Sequence, residues 1–186
     1  MDAYIELTLQ PDDEFPQHVL MDALMAKLHR TLVALEESNI GISFPGWRDG
    51  AYPTLGLKLR LHGQKVALER LMQQDWLRGM RDHLQLTELA ATPQPQGWLK
   101  VARCQAKSAE NMRKRAMRRH GLSAEDVRKR IPADAGDHLD SPFVTLYSRS
   151  TGQRYRLYIK QQSAKQPSQG GFNSHGLSLG GCVPLF

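Results

Sequence analysis

Between Lys100 and Arg130 the chain places Lys100, Arg103, Lys107, Arg113, Lys114, Arg115, Arg118, Arg119, Arg128, Lys129 and Arg130, against only Glu110, Glu125 and Asp126. Positive charge gathered on one segment is the footprint of a polyanion partner. On a helix, Arg115, Arg118 and Arg119 fall at i, i+3 and i+4 and share a face. Lys114 with Arg118, and Arg115 with Arg119, then set like charges one turn apart, each pair costing a few tenths of a kcal/mol in isolation. A bound polyanion relieves that repulsion, and Met112, Ala116 and Met117 give the helix an apolar side. The competing reading is a solvated basic face. The pattern does not separate DNA from RNA. A basic helix enters the major groove of DNA, whereas the A-form groove is too deep and narrow unless a hairpin opens it near a stem end.

Other chemistries leave little trace. The cysteines, Cys104 and Cys182, form no CxxC pair, so a zinc knuckle is disfavoured and free structural thiols are expected. No carboxylate cluster has metal-binding spacing, and Gly170, Gly171, Gly176, Gly180 and Gly181 form no phosphate-cradling fingerprint. Neither metal nor cofactor is expected. Lys and Arg total 25 against 19 Asp and Glu over 186 residues, a net charge of +6 and a pI near 9.5. No apolar run reaches the ~20 residues of a membrane span. The acidic, alternating start MDAYIELTLQ is unlike a secretory signal, so a cytoplasmic protein is expected.

The elements that must position such groups follow from periodicity. Residues 3–9 alternate as a strand. Asp12, Asp13, Glu14 and Pro16 suit a helix start, and Leu20, Leu24, Leu28, Leu32 and Leu35 stripe the helix that follows. Residues 40–44 and 55–61 read as strands, 64–80 as an amphipathic helix and 83–90 as another strand. That βαββαβ order is the ferredoxin-like motif, a host of many functions. Residues 91–97 read as a linker. Beyond it come a strand at 98–106, a basic helix at 108–120 opened by Ser108 and closed by Gly121, and a short helix capped by Ser123 with Asp126. A hairpin of 143–148 with 154–160, a polar loop at 161–171 and a glycine-rich tail ending in a strand complete the chain. The expected class is α+β: a ferredoxin-like domain at 1–93, then a polyanion-binding domain at 98–186 with an arginine-rich helix at 108–120 and a β-hairpin, which the resemblance described next makes an RNA-binding domain.

Several segments together resemble the subtype I-F CRISPR-associated repeat-processing endoribonucleases. These are DDEFP with LMDALMAKLHR, IGISFP, MRKRAMRRH with LSAEDVRKRIP, PFVTLYSRSTGQRYRLYI and GGF…HGLSLGGCVPLF, in the family's order across nearly the whole chain. The resemblance implies a metal-independent, single-turnover enzyme that binds a CRISPR repeat hairpin, cuts pre-crRNA at the base of the stem and keeps the product. It makes His29 the catalytic histidine, Ser148 the serine that holds the attacking hydroxyl and Ser150 an accessory candidate. Arg103 and Gln105 would read base edges at the foot of the stem. Arg115, Arg118 and Arg119 would line the groove, with Lys107, Arg113, Lys114 and His120 as phosphate contacts. Tyr155 stands where the family has a stacking aromatic, usually phenylalanine. His175 stands where a tyrosine is common, and its role is open. The implied partners are the repeat hairpin, as pre-crRNA and mature crRNA, and the other subunits of a type I-F surveillance complex; no membrane is implied.

The chemistry is self-consistent. RNA carries its own nucleophile, and attack of the 2′-hydroxyl gives a 2′,3′-cyclic phosphate and a 5′-hydroxyl. A histidine can take the hydroxyl proton. A serine that aligns the hydroxyl contributes through positioning. On the residues alone, His29 beside Leu28 reads as a helix-packing side chain and Ser148 as a turn residue; Tyr155 reads equally as core or as a functional aromatic, and one reading of His175 is a residue exposed in a glycine-rich loop. Two further readings stand beside the nuclease. One is a non-catalytic RNA-hairpin-binding subunit of a ribonucleoprotein complex. The other is a DNA-binding regulator, which lacks a helix-turn-helix because a strand precedes the basic helix.

Overall fold

Alternation in Ala3–Leu9 makes strand β1, with Ala3, Ile5, Leu7 and Leu9 buried. The structure is a computed structural model, in which residues 1–105, 109–132, 139–148 and 151–186 are described. Helix α1 spans Gln17–Ala34 and buries Leu20, Met21, Leu24, Met25, Leu28 and Leu32. Its first turn holds no acid. Asp12 instead closes the approach: its Oδ1 accepts from the backbone N–H groups of Glu14 and Phe15, and its Oδ2 lies 2.7 Å from His83 Nδ1.

Strands β2 (Gly41–Ser43) and β3 (Lys58–Gly63) follow, then helix α2 (Lys65–Met72), a 3-10 turn (Arg81–His83), β4 (Leu84–Leu86) and β5 (Ala90–Ala91). The order β2-β3-β1-β4, with β5 also on β1, forms an antiparallel sheet. Three expectations change here. The strand read at 55–61 starts three residues later and runs to Gly63. The helix read at 64–80 ends at Met72, and the chain turns while Trp76, Leu77 and Met80 stay buried. Its apolar signal beyond Met72 therefore reports core contact rather than helix. The strand read at 83–90 splits, because the Thr87 hydroxyl accepts the Glu6 N–H at 3.0 Å where the ladder would continue.

A second sheet has the order β7-β8-β6-β9, from β6 (Gly97–Cys104), β7 (Phe143–Tyr147), β8 (Arg154–Ala164) and β9 (Val183–Leu185). Pairs β7–β8 and β6–β9 are antiparallel. The polar segment expected as a loop from 161 is strand through Ala164. Gln161 explains why. Its Oε1 accepts the Phe44 N–H at 2.7 Å and its Nε2 donates to the Phe44 carbonyl at 3.0 Å, satisfying one residue's backbone as a neighbouring strand would. Val101, Val144, Leu146, Leu157, Ile159 and Val183 complete the core.

The chain divides into two compact units, Met1–Arg103 with Ser141–Phe186, and Cys104–Asp140. The second holds helices α3 (Ala109–His120) and α4 (Ala124–Arg130). Gly121, at φ 61°, closes α3 by donating its N–H to the Met117 carbonyl. The Ser123 hydroxyl accepts the Asp126 N–H at 3.1 Å and caps α4. Ser108, the cap expected for α3, lies outside the described residues. The described architecture is thus α+β, with two sheets and four α-helices. Among the described residues no helix is long and apolar enough to cross a membrane. Both cysteines are free thiols, Cys182 buried and Cys104 half-buried.

One buried polar pair makes stability depend on pH. Ser43 Oγ and His62 Nε2 lie 2.8 Å apart inside the first sheet, and His62 Nδ1 has no partner among the described residues. Burial, then the charges of Arg60 and the amino terminus, push the His62 pKa down from 6.5 to about 3. The unfolded chain therefore binds the proton more tightly. This contribution is fully present above about pH 6.5 and is lost as pH falls toward 3. At 1.36 kcal/mol per unit the whole window amounts to roughly 4–5 kcal/mol. Urea midpoints should fall from pH 6.5 to pH 4, and His62→Gln should flatten that decline; parallel profiles for the two proteins would refute it.

Candidate active site and basic helix pair

The apolar stripe of α1 leaves its next residue at the edge. Leu28 is fully buried, and His29 is half-buried beside it. His29 Nδ1 donates to the Ser174 carbonyl at 2.9 Å. The His175 ring stacks on the His29 ring, centroids 3.9 Å apart and planes 6° from parallel. Tyr155 Oη lies 3.5 Å from His175 Nε2. Burial, then the positive charges of His29 and Arg103, push the His175 pKa down to about 4. At neutral pH the ring behind His29 is thus uncharged.

Ser148 follows β7. Its N–H donates to the Gln153 carbonyl and its own carbonyl accepts the Gly152 N–H, each at 2.8 Å, while its hydroxyl accepts the Thr151 N–H at 3.3 Å. His29, Ser148 and Tyr155 line one cavity of about 580 Å³, walled also by Ala26, Arg30, Val33, Leu146 and Tyr147. His175 adjoins it through its contacts with His29 and Tyr155.

A second contact sets the register of helix against hairpin. Asp22, earlier on α1, accepts the Thr145 N–H at 2.8 Å. Burial raises the Asp22 pKa, and that hydrogen bond opposes the rise. The start of α1 and the start of β7 share one cavity, of about 340 Å³, whereas their ends share the His29 cavity, so the two elements run in the same direction. From Asp22 to His29 the helix climbs about 10 Å. From Thr145 to Ser148 the strand advances about 10 Å as well. The equal spans accord with His29 and Ser148 lining one cavity.

In the second unit, Lys114, Arg115, Arg118, Arg119 and His120 are exposed on α3. Arg115, Arg119 and His120 line a groove of about 430 Å³ with Gln105, Asn111, Met112 and Ala116. Lys114 pairs with Glu110 at 2.8 Å across one helical turn, so the helix carries a partial counter-charge. Arg113 is turned inward: its Nε and Nη2 donate to the Ile131 carbonyl at 2.9 and 2.7 Å and tie α3 to the end of α4. Arg103 is exposed near the end of β6, and Gln105 is exposed just after it. Lys107 and Ser150 lie outside the described residues. Sequence reasoning missed Arg30 and Val33, which line the cavity one residue and one turn beyond His29, and the Ser174 carbonyl, which as a backbone group has no side-chain signature. Among the described residues no group of three or more His, Cys, Asp and Glu side chains is placed to hold a metal ion.

These features define a mixed α+β protein with a histidine–serine pocket in one unit and a basic helix pair in the other. Residues 4–186 match the family model described as CRISPR-associated protein (Cas_Csy4), and the chain belongs to that family. It is 48% identical to the "CRISPR-associated endonuclease Cas6/Csy4" of Pseudomonas aeruginosa (strain UCBPP-PA14), over the full length of both chains. It is 37% identical to the protein of the same name from Escherichia coli (strain UTI89 / UPEC), again over the full length of both. The family resemblance carried by the sequence segments is thereby borne out.

The placement of Arg113 separates it from its neighbours in a measurable way. In a plot of log Kd for RNA against log salt, each of Arg115→Gln, Arg118→Gln and Arg119→Gln should reduce the slope by about 1. Arg113→Gln should leave the slope unchanged and lower stability by about 1–3 kcal/mol, the worth of a hydrogen bond from a charged group. A reduced slope for Arg113→Gln would show that its guanidinium leaves Ile131 for a phosphate.

Proposed function

We propose that this chain is an endoribonuclease that binds a CRISPR repeat hairpin and cleaves pre-crRNA at the base of the stem without a metal ion. The observation that carries this reading is the single cavity shared by His29 and Ser148. Ser148 holds the 2′-hydroxyl in line with the leaving oxygen, and His29 takes its proton. The 2′-oxygen–phosphorus bond forms, the bond to the 5′-oxygen breaks, and that oxygen takes up a proton. The products are a 2′,3′-cyclic phosphate and a 5′-hydroxyl. Ser150 is an accessory to Ser148, and His175 supports the catalytic ring from behind.

Arg115, Arg118 and Arg119 grip the stem, with Lys107, Lys114 and His120 on phosphates and Arg113 joining them only if it gives up its bond to Ile131. Arg103 and Gln105 read the foot of the stem and Tyr155 stacks on its terminal pair. Because these contacts lie on the stem, the product stays bound and each molecule turns over once. The retained complex then joins the other subunits of a type I-F surveillance complex in the cytoplasm. In this reading residues 1–93 supply the histidine and residues 98–186 the serine hairpin and the gripping helix. The strand order β2-β3-β1-β4, with helices after β1 and β3, supports a ferredoxin-like assignment for residues 1–93.

The test is cleavage of the cognate repeat RNA by purified protein with product ends resolved. His29→Ala should slow cutting by about 10²–10⁴-fold with binding retained, the range expected for loss of a general base. A single 2′-deoxy nucleotide at the cut site should abolish cutting, and a chelator should leave it intact. Cutting of the deoxy RNA, or complete loss of activity on chelation, would overturn the mechanism.

A further inference from the structure

The bond from His29 Nδ1 ends on a backbone carbonyl, and a carbonyl can only accept. The proton therefore sits on Nδ1, and Nε2 is the nitrogen that keeps a lone pair in the neutral ring. A base needs that lone pair at the nitrogen facing its substrate, so whatever holds the Ser174 carbonyl in place also sets the form in which His29 works.

Ser174 lies in a turn built around Asn173. Asn173 Oδ1 accepts the backbone N–H of His175 at 2.9 Å and that of Leu177 at 3.0 Å. The Asn173 backbone closes the same loop: its N–H donates to the Leu177 carbonyl and its carbonyl accepts the Gly176 N–H, each at 2.8 Å. Gly176 adopts φ 73°, a conformation L side chains rarely take, and a Cβ there would meet Ile42 Cγ2 at 2.6 Å. Its carbonyl accepts the Ile42 N–H at 3.0 Å and anchors the turn to β2. The turn is thus fixed on the sheet at one end, on its own asparagine in the middle, and on the imidazole through Ser174.

We propose that Asn173 is a positioning residue for His29: by holding the turn it presents the Ser174 carbonyl to Nδ1, fixing the imidazole as the Nδ1–H tautomer and reserving Nε2 for the 2′-hydroxyl proton. The functional half of this inference rests on the nuclease reading above, and the structural half stands without it. Asparagine and aspartate place an acceptor oxygen at the reach this turn needs, and serine or threonine do so only more weakly.

Two measurements test it. The first uses the wild-type protein, ¹⁵N-labelled at histidine, at a pH where His29 is neutral, with long-range proton–nitrogen correlations read at the ring. The Nδ1–H form is expected; the Nε2–H form would overturn the proposal whether or not the protein cuts RNA. The second is single-turnover cleavage. Asn173→Ala should slow the rate about 10- to 100-fold, the range expected for a small misplacement of a catalytic group, with the Kd for repeat RNA within about twofold. Asn173→Asp, which keeps the acceptor oxygen, should restore most of the lost rate. An Asn173→Ala enzyme that binds and cuts as wild type, or an Asn173→Asp enzyme as slow as Asn173→Ala, would refute the positioning role. If His29→Ala cuts normally, the nuclease reading falls, and the tautomer measurement still decides the structural half.

Discussion

The hydrogen bond from His29 to the Ser174 carbonyl joins residues 145 positions apart and carries the logic of the molecule. It requires that α1, near the start of the chain, and a turn near its end meet within hydrogen-bonding distance. The core brings them together. Leu28 is fully buried, so its neighbour is held at the rim of the core, and the turn is pinned to β2 of the first sheet. His175 then packs flat on the imidazole, and its own burial keeps it uncharged at neutral pH. A protonated second ring 3.9 Å away would oppose any positive charge on the first. The site thus combines a rigid backbone anchor on one nitrogen with an uncharged ring across one face.

The second unit solves a different problem. A helix bearing Lys114, Arg115, Arg118 and Arg119 repels itself, and little of it is buried. It is steadied by local devices: the Glu110–Lys114 pair, the Gly121 cap, the Ser123 cap on the following helix and the two hydrogen bonds that Arg113 donates to the Ile131 carbonyl. Exposed pairs contribute little in water. The Arg113 clamp is half-buried and bidentate in its donation, so it is the stronger of these ties. Positive charge is thereby kept on a preformed scaffold.

Much of the fold was legible because its signals are local. Alternation marked β1, the leucine stripe marked α1, and Gly121 and Ser123 marked helix ends that the structure reproduces. Two of the errors share one cause. Residues 73–80 and 161–164 gain their structure from distant partners: Trp76 and Leu77 from the core, Gln161 from the backbone of Phe44. Periodicity cannot see such contacts. The candidate site divides along the same line. His29, Ser148, Tyr155 and His175 were reachable through the family's motifs, and the cavity gathers the first three with the fourth adjoining. The Ser174 carbonyl and the Asn173 turn were not reachable, because a backbone acceptor has no residue type and asparagine in a glycine-rich tail looks like any loop residue.

The Asp22–Thr145 bond has a consequence for how this chain can change length. Measured from that bond, His29 and Ser148 sit at equal reach along two elements whose residues advance at different rates. One extra residue between Asp22 and His29 would swing the imidazole about 100° around the helix axis. One extra residue between Thr145 and Ser148 would flip the hydroxyl to the opposite face of the hairpin. Neither error can be absorbed by the other, because a rotation in one element does not cancel a flip in the other. These two short stretches should therefore reject insertions and deletions even where they would accept many substitutions.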